Sequence, residues 1–157
     1  VPKMKEEAER NMPPRQNYDE SKIWKEQAED DVIRLKDYRG REIVLTRKQF
    51  LSHTSGKGRD NRIALWDAML DTLQHPDEVW LNNEIEKNAL NKAPELDTYC
   101  LLKFYRDEVV AVNYRIEDEQ LVLKTWYIMQ TNLKKTNGYM KKRIWNMRRW
   151  GLLIKKR

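Results

Sequence analysis

At 157 residues the chain is long enough for one domain with a proper core and too short for two comfortable ones. Charged residues make up 36% and the mean hydropathy is -0.94, yet six Trp and seven Tyr exclude a chain too poor in apolar surface to fold. The net charge of +6 is divided unevenly: residues 1–119 carry 20 basic against 25 acidic groups, and from Gln120 onward 11 Lys/Arg stand with no Asp or Glu.

No window approaches the roughly 18 consecutive apolar residues of a membrane span. The opening VPKMKEEAER lacks the apolar centre of a signal peptide. A soluble protein acting in the cytoplasm is expected, without a membrane partner. Because Val1 is not Met, the chain suits a piece of a longer polypeptide.

Residues 1–20 are polar and contain Pro13 and Pro14, which break a helix, so they are expected to be a linker or arm before a single domain over 21–157. Ile23, Trp24, Val32 and Leu35 form an incomplete helical stripe that predicts a helix over Ser21–Lys36. Arg39 and Gly40 offer a turn, and Ile43–Leu45 a short strand. Thr46 and Gln49 make a capping box, in which hydroxyl and amide satisfy the free N–H groups of a helix from Arg47 to about Ser52. That helix runs into HTSGKG. Ile63, Trp66, Leu70 and Leu73 then recur at helical spacing until His75-Pro76 stops them. Glu78–Leu81 reads as a strand and NNEIEKNALNKAPEL as a polar excursion.

Three strands follow, Tyr99–Tyr105, Val109 to Arg115 or Ile116, and Leu121–Met129, joined by turns short enough to force antiparallel neighbours. Cys100, the lone cysteine, is expected as a buried small residue in the first of them. Asn137-Gly138 marks a further turn, and GLLIK at 151–155 is placed to close the sheet. The expected class is α+β: N-terminal helices packed on a four- to five-stranded antiparallel sheet.

If Tyr105 faces Glu108 and Ile116 faces Leu121, then Lys103, Val110 and Tyr127 share a row, and Leu101, Val112 and Thr125 the next row on the same face. A cation, a hydroxyl and a phenol would meet there. The opposite face, with Cys100, Leu102, Phe104, Ala111, Trp126 and Ile128, reads as the better core. A one-residue slip would destroy the cluster.

One Cys and two distant His give no zinc spacing, and no phosphate-binding glycine loop or nucleophile elbow occurs, so no metal or cofactor is expected. A phosphodiesterase built this way would use the 2'-hydroxyl of RNA as nucleophile. It needs a base, an acid, and cations or donors for the phosphorane. His53, with an ordinary pKa near 6.5, can move a proton at neutral pH. Lys57, Arg59 and Lys103 would supply charge, and Thr125 and Tyr127 hydrogen bonds. His75, at a helix end where a cation favours the dipole, reads as structural. Within the basic segment 134–157, Lys141, Lys142, Arg143, Arg148 and Arg149, with Trp145, suit a polyanion whose phosphates pair with cations and whose bases stack on rings.

REIVLTRKQFLSH, HPDEVWLN, CLLKFYRDEVVAVNYR, LVLKTWYIM and the terminal RRWGLLIKK, in that order, resemble the phage-encoded barnase/EndoU/colicin/RelE-like (BECR) nucleases. These occur at the ends of phage head-morphogenesis and polymorphic-toxin proteins. The resemblance implies helices against an antiparallel sheet and metal-independent RNA cleavage to 2',3'-cyclic phosphate ends, with tRNA among the candidate substrates. It matches a histidine near the first helix with His53, and a Ser/Thr-x-aromatic pair on a late strand with Thr125 and Tyr127. It further implies an immunity protein as partner, fusion to a phage head or toxin-delivery protein, and delivery from a phage particle or secretion system. The alternative is a non-catalytic nucleic-acid-binding or capsid assembly module.

Overall fold

A computed structural model describes residues 10–54, 62–82, 98–106, 108–129 and 152–156. Among them are three helices, α1 (Glu20–Gln27), α2 (Arg47–Thr54) and α3 (Trp66–Gln74), with a 3-10 turn at Arg62–Leu65 leading into α3. The strands are β1 (Ala28–Glu29), β2 (Val32–Lys36), β3 (Glu42–Thr46), β4 (Glu78–Asn82), β5 (Thr98–Phe104), β6 (Val109–Glu117), β7 (Gln120–Met129) and β8 (Leu152–Lys156). They form one eight-stranded sheet in the order β1-β2-β3-β7-β6-β5-β4-β8. The class is α+β as expected, but the sheet is larger than four or five strands. It is also mixed, because β3 runs parallel to β7 while every other neighbouring pair is antiparallel.

The extra strands come from the stretch predicted as one helix. Asp19 caps α1 through its carboxylate, which accepts from the backbone N–H groups of Ser21 and Lys22, and the helix ends at Gln27. Asp30 and Asp31 then take φ of 53° and 63°, the two left-handed residues of a tight hairpin. Beyond the turn, Ile33 and Leu35 are buried while Arg34 and Lys36 are exposed. This is a period of two, set by residues Val32 to Lys36, and it overrides the incomplete helical stripe.

Gln49 N–H donates to Thr46 Oγ1 at 3.3 Å, so the hydroxyl arm of the expected capping box starts α2. Residues of the proline-containing N-terminal stretch lie against the body of the fold. Arg10 pairs with buried Asp77 at 2.5 Å, Arg15 with Glu108 at 2.8 Å, and Gln16 N–H donates to the Ala64 carbonyl at 3.3 Å. Tyr18 OH lies 2.9 and 2.8 Å from the two carboxylate oxygens of Asp67, and Met12 and Tyr18 pack against the core.

The meander pairs as its turns require at both ends: Lys103 opposes Val110, Leu101 opposes Val112, and Ile116 opposes Leu121. Between Asn113 and Tyr114, however, β7 carries one extra residue. Tyr114 opposes Leu123, Asn113 opposes Thr125, and Lys124 is the bulge. From Thr125 onward every β7 side chain is shifted to the other face. Trp126 therefore joins Leu101, Val110, Val112, Tyr114 and Leu123 in the larger core cluster, which also holds Phe50, Trp66 and Met69 from the helical side. Tyr127 instead packs with Trp80, Cys100, Leu102, Phe104, Val109 and Ala111 in a second cluster. The expected row of Lys103 with Tyr127 does not exist, and the helices cover the face that carries Leu101 and Val112. Cys100 is buried in β5 as expected.

Candidate active site around His53

α2 packs on β3, on β7 and on the 3-10 turn, and its last turn carries His53. The imidazole stacks on Trp126, with ring centroids 5.2 Å apart and planes 22° from parallel. Its Nδ1 lies 2.8 Å from the Gln49 carbonyl oxygen one helical turn back. A carbonyl can only accept, so Nδ1 carries the hydrogen and the lone pair of the neutral ring is on Nε2. Ser52 Oγ also donates to that carbonyl, at 3.0 Å. Burial pushes the His53 pKa below its ordinary 6.5, and the Arg62 charge adds to that shift, while the Gln49 carbonyl opposes it. The shift favours the neutral ring, and the Gln49 carbonyl favours the tautomer with its hydrogen on Nδ1.

The neighbour of this ring is a residue the sequence did not single out. β3 pairs with β7 only at Leu121 and Val122, and further along β7 the 3-10 turn packs against the strand. There Trp126 Nε1–H donates to the Arg62 carbonyl at 2.8 Å. The Arg62 guanidinium reaches Thr125, donating to its Oγ1 at 2.9 Å. His53, Arg62, Thr125 and Trp126 thus form one connected set. Trp126 is fully buried, and it makes an edge contact with Trp66 at 6.0 Å.

The other expected site residues fall elsewhere. Lys103 is 5% exposed, donates to the His75 carbonyl at 2.9 Å and pairs with Asp71 at 3.2 Å. Asp71 also accepts from Tyr105 OH at 2.6 Å. Lys103 is therefore a structural cation that ties β5 to the end of α3, not a neighbour of Thr125. Tyr127 faces away from His53, because the bulge sends it to the opposite side from Trp126. His75 is exposed and closes α3, its N–H bonding to the Asp71 carbonyl at 2.8 Å. Lys57, Arg59, Lys141, Lys142, Arg143, Trp145, Arg148 and Arg149 lie outside the described residues.

A second polar cluster surrounds the β2–β3 turn. Asp37, buried, accepts from the backbone of Arg39 and Arg41, from Arg41 Nε and from Tyr114 OH, all at 2.8–2.9 Å. Gly40, at φ 75°, allows the tight turn. Burial and the Asp37 charge push the Tyr114 pKa up, so this phenol stays protonated and serves as a donor.

Among the described residues no group of three or more His, Cys, Asp and Glu is placed to hold a metal, and no helix is long and apolar enough to cross a membrane. The sequence profile of one family, described as phage-Barnase-EndoU-ColicinE5/D-RelE like nuclease 2, matches residues 20–154. No curated protein and no solved structure matches the chain.

Proposed function

Because the chain belongs to the phage-Barnase-EndoU-ColicinE5/D-RelE like nuclease 2 family, we propose that it is a metal-independent endoribonuclease with His53 as its general base. The observation that supports this most is the fixed, neutral imidazole: Nδ1 is committed to the Gln49 carbonyl, and Nε2 has the lone pair. In the reaction, Nε2 takes the proton of a ribose 2'-hydroxyl. The 2'-oxygen attacks the adjacent phosphorus, and the bond from phosphorus to the 5'-oxygen breaks. The leaving oxygen takes a proton from water, giving a 2',3'-cyclic phosphate and a 5'-hydroxyl. DNA lacks the 2'-hydroxyl and is not a substrate for this step.

The basic segment 134–157, with Lys141, Lys142, Arg143, Arg148, Arg149 and Trp145, suits the flanking RNA by charge and ring stacking. Lys57 and Arg59 follow His53 closely in sequence and fit the same role. Transfer RNA is a fitting substrate, an immunity protein a fitting partner, and delivery from a phage particle or secretion system a fitting route.

Total RNA, isolated tRNA and single-stranded DNA incubated with the protein in EDTA test the proposal. Shortened RNA with cyclic phosphate ends and intact DNA are expected. Full dependence on added magnesium, or equal cutting of DNA, would overturn it. Retarded but uncut RNA would point to a binding module instead.

A further inference from the structure

His53 is held by its own helix at one atom, Nδ1, through the Gln49 carbonyl at 2.8 Å. One hydrogen bond fixes one atom. The plane of the ring, and with it the place of Nε2, needs a second restraint from another element. β7 supplies it: the indole of Trp126 lies along the imidazole, with centroids 5.2 Å apart and planes 22° from parallel. The indole is itself tied down, since Trp126 is fully buried and its Nε1–H donates to the Arg62 carbonyl at 2.8 Å. The chain of rings continues beyond it. Trp126 meets Trp66 of α3 edge-on at 6.0 Å, Trp66 meets Phe50 edge-on at 5.8 Å, and Phe50 stands three residues before His53 on α2. The circuit from His53 through Trp126, Trp66 and Phe50 thus returns to the helix it left, and α2 is attached to β7 both through a core ring and through the imidazole. A proton acceptor requires such restraint, because a displacement of about 1 Å at the reacting atoms can cost about 10²-fold in rate.

We infer that Trp126 is the positioning residue of His53: its indole face, tied to the 3-10 turn by Nε1–H and to α2 through Trp66 and Phe50, fixes the plane of the imidazole and so the place of Nε2. This rests on the ribonuclease reading of the His53 site. Trp126 acts through the imidazole and binds no part of the RNA, so its loss should appear in kcat with little change in KM.

The test compares wild type with Trp126→Phe, Trp126→Met and Val109→Ala. Trp126→Phe keeps an aromatic face, and Trp126→Met fills part of the space without one. Val109→Ala weakens the second core cluster, on the other face of the sheet from Trp126. Each protein is followed by NMR of the His53 ring protons and by thermal melting, and kcat and KM are measured on one defined RNA in EDTA. An indole shields protons that lie over its face, so the wild-type His53 ring protons should lie upfield of those of an exposed histidine. Trp126→Met should abolish that shift and lower kcat by about 10- to 100-fold with KM within about twofold of wild type. Trp126→Phe should keep part of the shift and cleave faster than Trp126→Met. Val109→Ala should melt at a lower temperature with the shift and kcat unchanged. Unshifted ring protons in wild type overturn the inference, and so does a folded Trp126→Met with the wild-type kcat. A loss of kcat that Val109→Ala reproduces also overturns it, because general loosening then accounts for the effect. Should Trp126→Met not fold, Trp126→Phe decides: a shift and a kcat that are both partly lost support the inference, and a lost shift with the wild-type kcat overturns it. If wild type leaves RNA uncut, the ribonuclease reading fails, and the shift in wild type together with its loss in Trp126→Met still shows whether Trp126 places the ring.

Discussion

Lys103→Met separates a structural lysine from a catalytic one. The substitution keeps the length and most of the volume of the aliphatic stem and removes the ammonium group. In the fold that ammonium donates to the His75 carbonyl at 2.9 Å and pairs with Asp71 at 3.2 Å. Breaking a fully buried ion pair costs about 3–5 kcal/mol, because the abandoned charge has nowhere to go. Asp71 is less trapped: its side chain is 30% exposed and still accepts from Tyr105 OH. Water can reach it, so the loss should resemble that of a hydrogen bond to a charged group with partial desolvation, about 1–3 kcal/mol. For a chain of this length that lowers the melting temperature by roughly 2–4 °C per kcal/mol. Urea denaturation should show the midpoint moving at constant slope, and RNA cleavage below the transition should stay within about twofold of wild type, because no transition-state contact is lost. Unchanged stability with cleavage lost by two orders of magnitude would refute the reasoning, and with it the assignment of Lys103 to the helix-covered face.

Deleting Lys124 should close the bulge with Thr125 still opposite Asn113 and Trp126 still opposite Val112, so Trp126 stays in the core; near-UV circular dichroism should show the tertiary signal kept, whereas its loss would mean that the bulge itself is needed to seat Trp126. At the β6–β7 turn, Glu119 sits at φ 63°, where an L-residue is strained by about 1–2 kcal/mol and glycine is not. After the entropy glycine adds to the unfolded chain, Glu119→Gly should raise the melting temperature by a few degrees by about 0.5–1 kcal/mol of stabilisation, and a lowered melting temperature would show that Glu119 makes a compensating contact.

The meander, the strand after Pro76, the closing strand and the capped helix at Thr46 were legible in the sequence because each rests on local signals: alternation, short turns and a cap. The β1–β2 hairpin was not. Its turn is Asp30-Asp31 instead of a glycine pair, and Val32 and Leu35, three apart, also fit one face of a helix. The parallel pairing of β3 with β7 joins residues far apart in sequence and leaves no local trace.

His53 was singled out in the sequence by its chemistry, as the histidine of a polar stretch that ends a short helix. Its surroundings were misread because of one residue: the bulge at Lys124 exchanges Trp126 and Tyr127 between faces, and alternation carries no mark of where a strand gains an extra residue. The contact of Arg62 with Thr125 left no mark in the sequence for a related reason. Arg62 stands just before the apolar stripe of α3 and looks like any arginine at a helix start, and only the packing of the 3-10 turn against β7 brings it to Thr125.

The pH dependence of RNA cleavage in EDTA, measured for wild type and His53→Ala on one defined RNA, tests the central claim that a neutral His53 is the base. Burial and Arg62 hold the His53 pKa below 6.5, so the base form persists at neutral pH and kcat/KM should fall on the acid side with a midpoint below that value. The same shift makes the folded state bind fewer protons than the unfolded one, so this contribution to stability is full above about pH 6.5 and declines as pH falls through the lower folded value. His53→Ala should cleave about 10²- to 10⁴-fold more slowly, the usual effect of removing a positioned acid or base, and the acid limb should vanish. A folded His53→Ala that cleaves at the wild-type rate with the same acid limb would contradict the account.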